Sequence, residues 1–283
     1  MTPATLDAAR DAARFGGKAA ALARALGAGL PVPGGWALDT TLVEAVAAGD
    51  RAASAAVDAT IVAATAGDPG PAALYAVRSS AVGEDGADSS FAGQHLTRLG
   101  VAASGVVEAV RAVRKSVHAP AALAYRARRG IAGPPRAGVV VQRLIAADRA
   151  AVVFTRDPVT GHDVVVIEAS HGLGETVVSG AVVPDRFVLH RDGRPLARTA
   201  GDKDVALMVR DGRVVEVPIA GDARQSLCLD DQQLASIHAL VLAVDAVWPG
   251  PHDLEIAFAA NRLYLLQRRP LTAMATAAAA RPR

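Results

Sequence analysis

Two acidic residues two apart, Asp253 and Glu255, stand in the run Pro251-His252-Asp253-Leu254-Glu255-Ile256-Ala257-Phe258. An amide and a guanidinium at the same spacing, Gln267 and Arg269, stand in Leu263-Tyr264-Leu265-Leu266-Gln267-Arg268-Arg269-Pro270. The short polar break between these β-prone runs reads as the turn of a hairpin. Side chains alternate across a strand, so Asp253, Glu255 and Ala257 share one face of the first run, while Leu263, Leu265, Gln267 and Arg269 share one face of the second. A three-residue turn, Ala260-Asn261-Arg262, would pair Glu255 with Gln267 and Asp253 with Arg269. A two-residue turn would send the acids and Gln267 to opposite faces. The odd-length turn is therefore expected, with Asn261 or Arg262 in a left-handed or bulged conformation. Such a patch offers hard oxygen ligands to Mg²⁺ and a guanidinium to a phosphate. The same residues would also make a cross-strand ion pair on a solvated sheet face, and the hairpin alone leaves both readings open.

A second candidate lies near the start of the chain, where Phe15-Gly16-Gly17-Lys18 leads into the helix-prone stretch Ala19 to Leu26. Glycines at a helix start let backbone N–H groups approach an anion, and a lysine there adds a mobile charge. Ala19 follows Lys18, so no hydroxyl is available for a metal and the pattern is not a Walker loop. A short strand, Leu74 to Val77, then delivers Arg78-Ser79-Ser80. The small-residue loop Ala81 to Gln94, with its single aromatic Phe91, suits a lid whose amides fold over phosphates, or else a plain connector.

The elements that must position these groups alternate between helix and strand. Residues 39–66 read as helical with a break at Gly49-Asp50, and 103–130 as two helices broken at Ala119-Pro120. Strands are expected over 137–145, 150–155 and 163–169, with ribbons turning at Asp192-Gly193 and Asp211-Gly212. Asp230 is the expected N-cap of a helix from Asp231 to about Val247. The best sequence break between subdomains is Gly133-Pro134-Pro135.

With 283 residues, half of them apolar, the chain can bury a substantial core. It has no apolar run of the ~18 residues a membrane span requires. Its start carries no secretory signal pattern, and its single cysteine, Cys228, fits a reducing cytoplasm. A net charge of +2 with 4% aromatic residues argues against a nucleic-acid binder built on basic stripes and stacking rings.

In order, five segments resemble the nucleotide-binding, ATP-grasp domain of phosphoenolpyruvate synthase, pyruvate phosphate dikinase and rifampicin phosphotransferase. They are Gly16-Gly17-Lys18 with Gly29-Leu30-Pro31-Val32-Pro33; Val77-Arg78-Ser79-Ser80 through Ser90-Phe91-Ala92-Gly93-Gln94; Val140-Val141-Gln142-Arg143 with Phe154-Thr155-Arg156-Asp157-Pro158; Gly172-Leu173-Gly174-Glu175 through Pro184-Asp185; and Asp253-Leu254-Glu255 with Leu265 to Pro270. The resemblance implies an α/β (α+β) chain of the ATP-grasp fold, two α/β subdomains with the nucleotide cleft between them. These would be 1–136, carrying the phosphate-binding cations and lid, and 137–273, carrying the metal-binding hairpin, followed by a flexible tail over 274–283.

By the same resemblance the cofactors are ATP and Mg²⁺. Lys18, Arg78 and Arg269 would act on the phosphates, and Ser90, Phe91, Ala92 and Gly93 would form the lid. Gln142 and Arg143 would lie by the adenine and Lys203 would face the nucleotide, while Glu255 and Gln267, with Asp253 beside them, would hold the metal. Full-length members carry a Thr-Ser-His phosphoryl acceptor on a swivelling domain, and none of the seven histidines here follows Thr-Ser. His171 is read as a neighbour of the nucleotide rather than an acceptor.

The expected function is thus the ATP-binding subunit of a split dikinase-type phosphotransferase. It would pass a phosphoryl group to a histidine on a partner chain that also carries the acceptor-binding domain, and on to a small molecule, releasing AMP and phosphate. The rivals are a stand-alone kinase or ligase acting directly on a small molecule, and a non-catalytic nucleotide-binding regulatory module. The joint presence of Lys18, Arg78, Glu255, Gln267 and Arg269 weighs against the last, which would not need metal ligands and both cationic clamps.

Overall fold

The computed structural model describes residues 1–65, 73–83, 96–128 and 133–271. The chain divides into two units, Met1–Ile145 with Val209–Val215, and Ala146–Met208 with Glu216–Arg283. The expected boundary at residue 136 moves to 145. Strand Ala137–Arg143 belongs to the first unit because it pairs antiparallel with Gly35–Leu38 on one side and Leu74–Ala81 on the other. The turn Gly133-Pro134-Pro135 therefore precedes a central strand rather than separating subdomains. The expected tail, 274–283, lies outside the described residues.

In the first unit, β1 (Ala4–Thr5), β2 (Gly35–Leu38), β3 (Leu74–Ala81), β4 (Thr97–Ala102) and β5 (Ala137–Arg143) form one sheet in the order β1-β2-β5-β3-β4. Its helices are α1 (Ala12–Phe15), α2 (Gly17–Gly27), α3 (Thr40–Ala47), α4 (Arg51–Thr65), α5 (Val106–Val117) and α6 (Pro120–Arg128). Asp39 caps α3 through a bond from Leu42 N, and Asp50 accepts from Ala52 N and Ala53 N at the head of α4. These caps satisfy donors that a helix start leaves unpaired. Gly49 between the helices has φ +83°, a conformation that favours glycine. Leu42, Val57, Ile61, Val110, Tyr75 and Val141 meet in one apolar core, which makes β3 buried along its whole length.

In the second unit, β6 (Arg149–Phe154), β7 (Val164–His171), β8 (Asp185–His190) and β9 (Pro195–Thr199) continue through β12 (His252–Ala259) and β13 (Arg262–Pro270). They build a six-stranded antiparallel sheet in the order β13-β12-β6-β7-β8-β9. A separate ribbon, whose residues Val209–Val215 are counted in the first unit, joins β10 (Val205–Arg210) to β11 (Arg213–Pro218) through Asp211 and Gly212, both with positive φ. The short α7 (Glu175–Val178) follows β7, and α8 (Asp231–Val247) precedes the hairpin.

Helix α8 starts with the expected cap. Asp230 accepts from Gln233 N, and the Gln233 side chain accepts from Asp230 N, a complete capping box. Leu234, Ile237, Leu240, Val241 and Val244 bury its apolar stripe. Polar contacts fix both ends against turns: Gln233 Nε2 lies 3.4 Å from Asn261 Oδ1, and Asp245 is ion-paired with Arg191. Among the described residues no helix is long and apolar enough to cross a membrane.

Candidate functional site

The hairpin β12–β13 sets the expected pairs side by side: Glu255 opposite Gln267 and Asp253 opposite Arg269. It does so by a different device from the one the sequence suggested. The turn has two residues, Ala260 (φ +48°) and Asn261 (φ +60°), and closes Ala259 onto Arg262 in the manner of a type I′ turn. Parity is restored by a bulge. Ile256 pairs with Leu265 and Glu255 with Gln267, so Leu266 is the extra residue. The expectation that Leu263, Leu265, Gln267 and Arg269 share one face is therefore corrected. Leu263 and Leu265 lie opposite Phe258 and Ile256 on the apolar face, whereas Gln267 and Arg269 lie with the acids. A three-residue turn would have forced Leu265, fully buried here, onto the polar face.

On that face Gln267 is 3% exposed, and its Nε2 donates to Glu255 Oε1 at 3.0 Å. Arg269 Nη2 stands 3.6 Å from the same oxygen. Burial pushes the Asp253 carboxyl up to about 6, against the pull of the Arg269 cation and with a smaller push from the Glu255 charge. Arg269 Nε is buried with no hydrogen-bond partner among the described residues.

This donor set fits Mg²⁺ held in part by other ligands. It offers two carboxylates and, because the amide nitrogen serves Glu255, the amide oxygen of Gln267. Among the described residues no group of three or more His, Cys, Asp or Glu is arranged to hold a metal ion by itself. A cation placed here would need further oxygens from water or a phosphate. The unmatched Arg269 Nε is a donor of the kind a phosphate oxygen accepts.

The first unit carries two buried cations of its own, Lys18 and Arg78. Gly16 (φ +82°) caps α2, and a Cβ there would sit 1.8 Å from Ser80 O, so the loop lies directly on β3. A Cβ at Gly138 would likewise come within 2.3 Å of Phe15 O. Small residues on β3 and β5 thus let the start of α2 seat against the sheet, where Ala19 N donates to Ser80 Oγ at 3.0 Å. Lys18 adjoins one end of that bond, and Arg78 precedes the other by two residues on the same strand face as Ser80. Both cations are buried, at 8% exposure each.

Gln142 is buried on β5, with its Nε2 donating to Pro33 O at 3.3 Å, and Arg143 beside it is exposed. Both stand just before the chain leaves the first unit at Ile145. The proposed lid residues Ser90, Phe91, Ala92 and Gly93 lie outside the described residues.

Lys203 is placed away from open surface. It is fully buried and paired with Asp185, its Nζ 2.5 Å from Asp185 Oδ1. Asp185 also accepts from Gly201 N and Cys228 N. Burial raises the Asp185 carboxyl, but the bonds from Lys203, Gly201 and Cys228 outweigh it and hold it below its ordinary value. Lys203 is thus a structural counter-ion in this structure. His171, at the end of β7, has its Nε2 3.1 Å from Ala223 O. Asp157, in the Thr155-Arg156-Asp157-Pro158 segment, accepts from Val159 N and Thr160 N and closes a local turn.

One cluster was not anticipated. His252 is fully buried on the inner face of the hairpin, and Arg268 Nη2 donates to its Nδ1 at 3.0 Å. Arg268 stacks 4.9 Å over the Trp248 ring. Near it, a cavity of about 340 Å³ is lined by Arg156, Asp163, Arg191, Asp245, Trp248 and neighbouring loop residues. Its charges are matched internally, Arg156 to Asp163 and Arg191 to Asp245, so it offers no net charge to a nucleotide. A histidine at the start of a strand-like run, between Pro251 and Asp253, carries no sequence signal that separates this role from ordinary core filling.

The comparisons with known proteins bear on what these clusters serve. The family model described as pyruvate phosphate dikinase, AMP/ATP-binding domain, matches residues 50–283. A probable phosphoenolpyruvate synthase of Archaeoglobus fulgidus is 35% identical over 208 residues, 72% of this chain and 28% of that protein. A rifampicin phosphotransferase of a Streptomyces species is 37% identical over 211 residues, 72% of this chain and 24% of its own length. A prodigiosin synthesizing transferase of Serratia marcescens is 34% identical over 285 residues, 93% of this chain and 32% of its own. The chain thus spans between 24% and 32% of the length of these three relatives. A mixed α/β chain with these matches is an ATP-binding domain with an ATP-grasp-like fold. It belongs to the pyruvate phosphate dikinase AMP/ATP-binding family, among relatives that are phosphotransferases and synthases.

Proposed function

We propose that the chain binds Mg·ATP and starts a dikinase-type phosphoryl transfer, in which a phosphoryl group passes to a histidine on the swivelling domain of a separate partner chain. From there it would reach a small-molecule acceptor, with AMP and phosphate released. The observation that carries this reading is the register of the second unit's hairpin. It gathers Glu255, Gln267 and Arg269 around one carboxylate oxygen, with Asp253 alongside, in a chain of the AMP/ATP-binding family.

Each residue has a separable task. Glu255 and Gln267 Oε1, aided by Asp253, would hold Mg²⁺, which when bound neutralises charge on the phosphates. Arg269 would donate to a phosphate oxygen through the nitrogen that has no partner among the described residues. Lys18 and Arg78 are assigned to ATP phosphates, as buried cations, one at a helix start whose neighbouring amide is already satisfied by Ser80 and the other on the strand that carries Ser80. Phosphoryl transfer depends mainly on such positioning and charge neutralisation rather than on covalent help from the protein. Gln142 and Arg143 are assigned to the adenine.

The test is an incubation of the purified chain with Mg·ATP, with and without a chain carrying a Thr-Ser-His swivelling domain. Phosphohistidine on the second chain together with AMP is the expected result. ADP formed with a small acceptor and no second chain would replace this reading with a direct kinase.

A further inference from the structure

The hairpin turn and the candidate site ask for different registers. Continued without interruption from Ala260-Asn261, the pairing would set Glu255 against Leu266, Leu254 against Gln267 and Asp253 against Arg268. In that slipped arrangement Gln267 and Arg269 would turn to the apolar face, and the site would lose its amide and its guanidinium. An Asp253–Arg268 ion pair would even favour the slip on the outer face. Something on the inner face must oppose it.

The inner face carries such a lock. Arg268 is held there by contacts that include the stack 4.9 Å over Trp248 and the bond from Nη2 to His252 Nδ1 at 3.0 Å. His252 is itself fixed, since its N donates to Thr155 Oγ1 at 2.8 Å and its O accepts from Thr155 N at 2.9 Å. Because Nδ1 accepts, the ring is the neutral tautomer with its proton on Nε2, which lies 3.5 Å from Asp245 Oδ1. Asp245 in turn is ion-paired with Arg191. With residue 268 held inward, alternation turns 267 and 269 outward, and the surplus residue is absorbed as the bulge at Leu266.

We propose that His252, Arg268 and Trp248 form a clasp that selects the bulged register and so positions Gln267 and Arg269 opposite Glu255 and Asp253. These are positioning residues, and their link to catalysis rests on the ATP-site reading above. Outer partners of metal ligands commonly govern affinity by about 10–100-fold.

The experiment uses the full chain and four proteins: wild type, His252→Leu, Trp248→Leu and His252→Asn. Leucine keeps bulk while removing the acceptor or the stacking face, whereas Asn keeps an acceptor near the Nδ1 position. Cross-strand amide NOEs report the register without reference to activity, and Mn·ATP titration reports the site. The expected result is a second register, with Asp253 opposite position 268, in both leucine variants, and Mn·ATP affinity lower by about tenfold or more. His252→Asn should keep the bulged register and near wild-type affinity. If both folded leucine variants retain Glu255 opposite Gln267, the clasp is wrong, whatever the affinity does. If the register slips while Mn·ATP affinity stays constant, the clasp stands and the ATP-site assignment of this hairpin falls.

Discussion

Acid titration of the second unit should expose two buried groups pulling stability in opposite directions. His252 is fully buried, and burial first, then the Arg268 cation, outweigh Asp245 to bring its pKa down to about 4 from an ordinary 6.5. Between those values the unfolded chain binds the proton and the folded chain does not, so stability falls as pH falls through that window. At about 1.4 kcal/mol per pH unit, His252 alone removes roughly 2.5 kcal/mol between pH 7 and 4.5. Asp253 works the other way. Its carboxyl protonates near 6 when folded and near 3.8 when unfolded, so the folded state takes that proton first and gains stability as pH falls. Asp253 is only partly buried, and solvent screening reduces its share to about 1 kcal/mol. The net loss from this pair is therefore roughly 1.5 kcal/mol in the wild type. Urea unfolding at pH 7 and 4.5 in a Trp36→Phe background, where Trp248 fluorescence reports the second unit, measures it. His252→Asn should show a gain of about 1 kcal/mol at pH 4.5 relative to its own pH 7 value, roughly 2.5 kcal/mol above the wild-type change, while Asp253→Asn should deepen the loss by about 1 kcal/mol. Parallel pH profiles for wild type and His252→Asn would refute a neutral buried histidine.

Three further outcomes follow from the same geometry. Lys203→Met leaves Asp185 buried with two backbone donors and no counter-charge, and should destabilise the second unit by about 3–5 kcal/mol in urea denaturation. Deleting Leu266 removes the bulge residue while keeping Gln267 opposite Glu255 through an uninterrupted two-residue hairpin, so Mn·ATP binding should persist in calorimetric titration, whereas loss of binding would show that the bulge itself is needed. Burial, reinforced by Asp185, pushes the Cys228 thiol well above its ordinary range, so iodoacetamide labelling at pH 8 should track unfolding rather than proceed in the folded protein.

Much of the chain beyond residue 146 was legible because its signals are local. Asp230, Asp211-Gly212 and the β-branched runs around 150–155 and 163–169 each specify their element within a few residues, and each forms as the sequence reads. The hairpin pairing was also legible, though through the wrong turn. Periodicity fixes which residues must end on one face, but an extra residue can enter at the turn or further along the strand, and only packing decides. Here Leu265 fits opposite Ile256, which moves the irregularity to Leu266. Strand β5 was assigned to the wrong unit because Gly133-Pro134-Pro135 is a local break, whereas its pairing with β2 and β3 reaches far back along the chain, from Val139 to Leu38 and to Ser79. The His252–Arg268–Trp248 cluster had no sequence signature, since a buried neutral histidine and a stacked arginine become visible only when strand register and helix end are known together. Lys203 illustrates the converse: its motif suggested a ligand contact, and burial against Asp185 supplies a structural use for the charge.

The central claim is that Lys18 and Glu255 each contribute to binding Mg·ATP. Calorimetric titration of Mg·ATP into wild type, Lys18→Ala and Glu255→Ala tests it most directly, with circular dichroism confirming that all three are folded. Binding by the wild type, weakened about tenfold or more by each substitution, is the predicted result. Wild-type affinity in both variants, or no binding by the wild type, would contradict it.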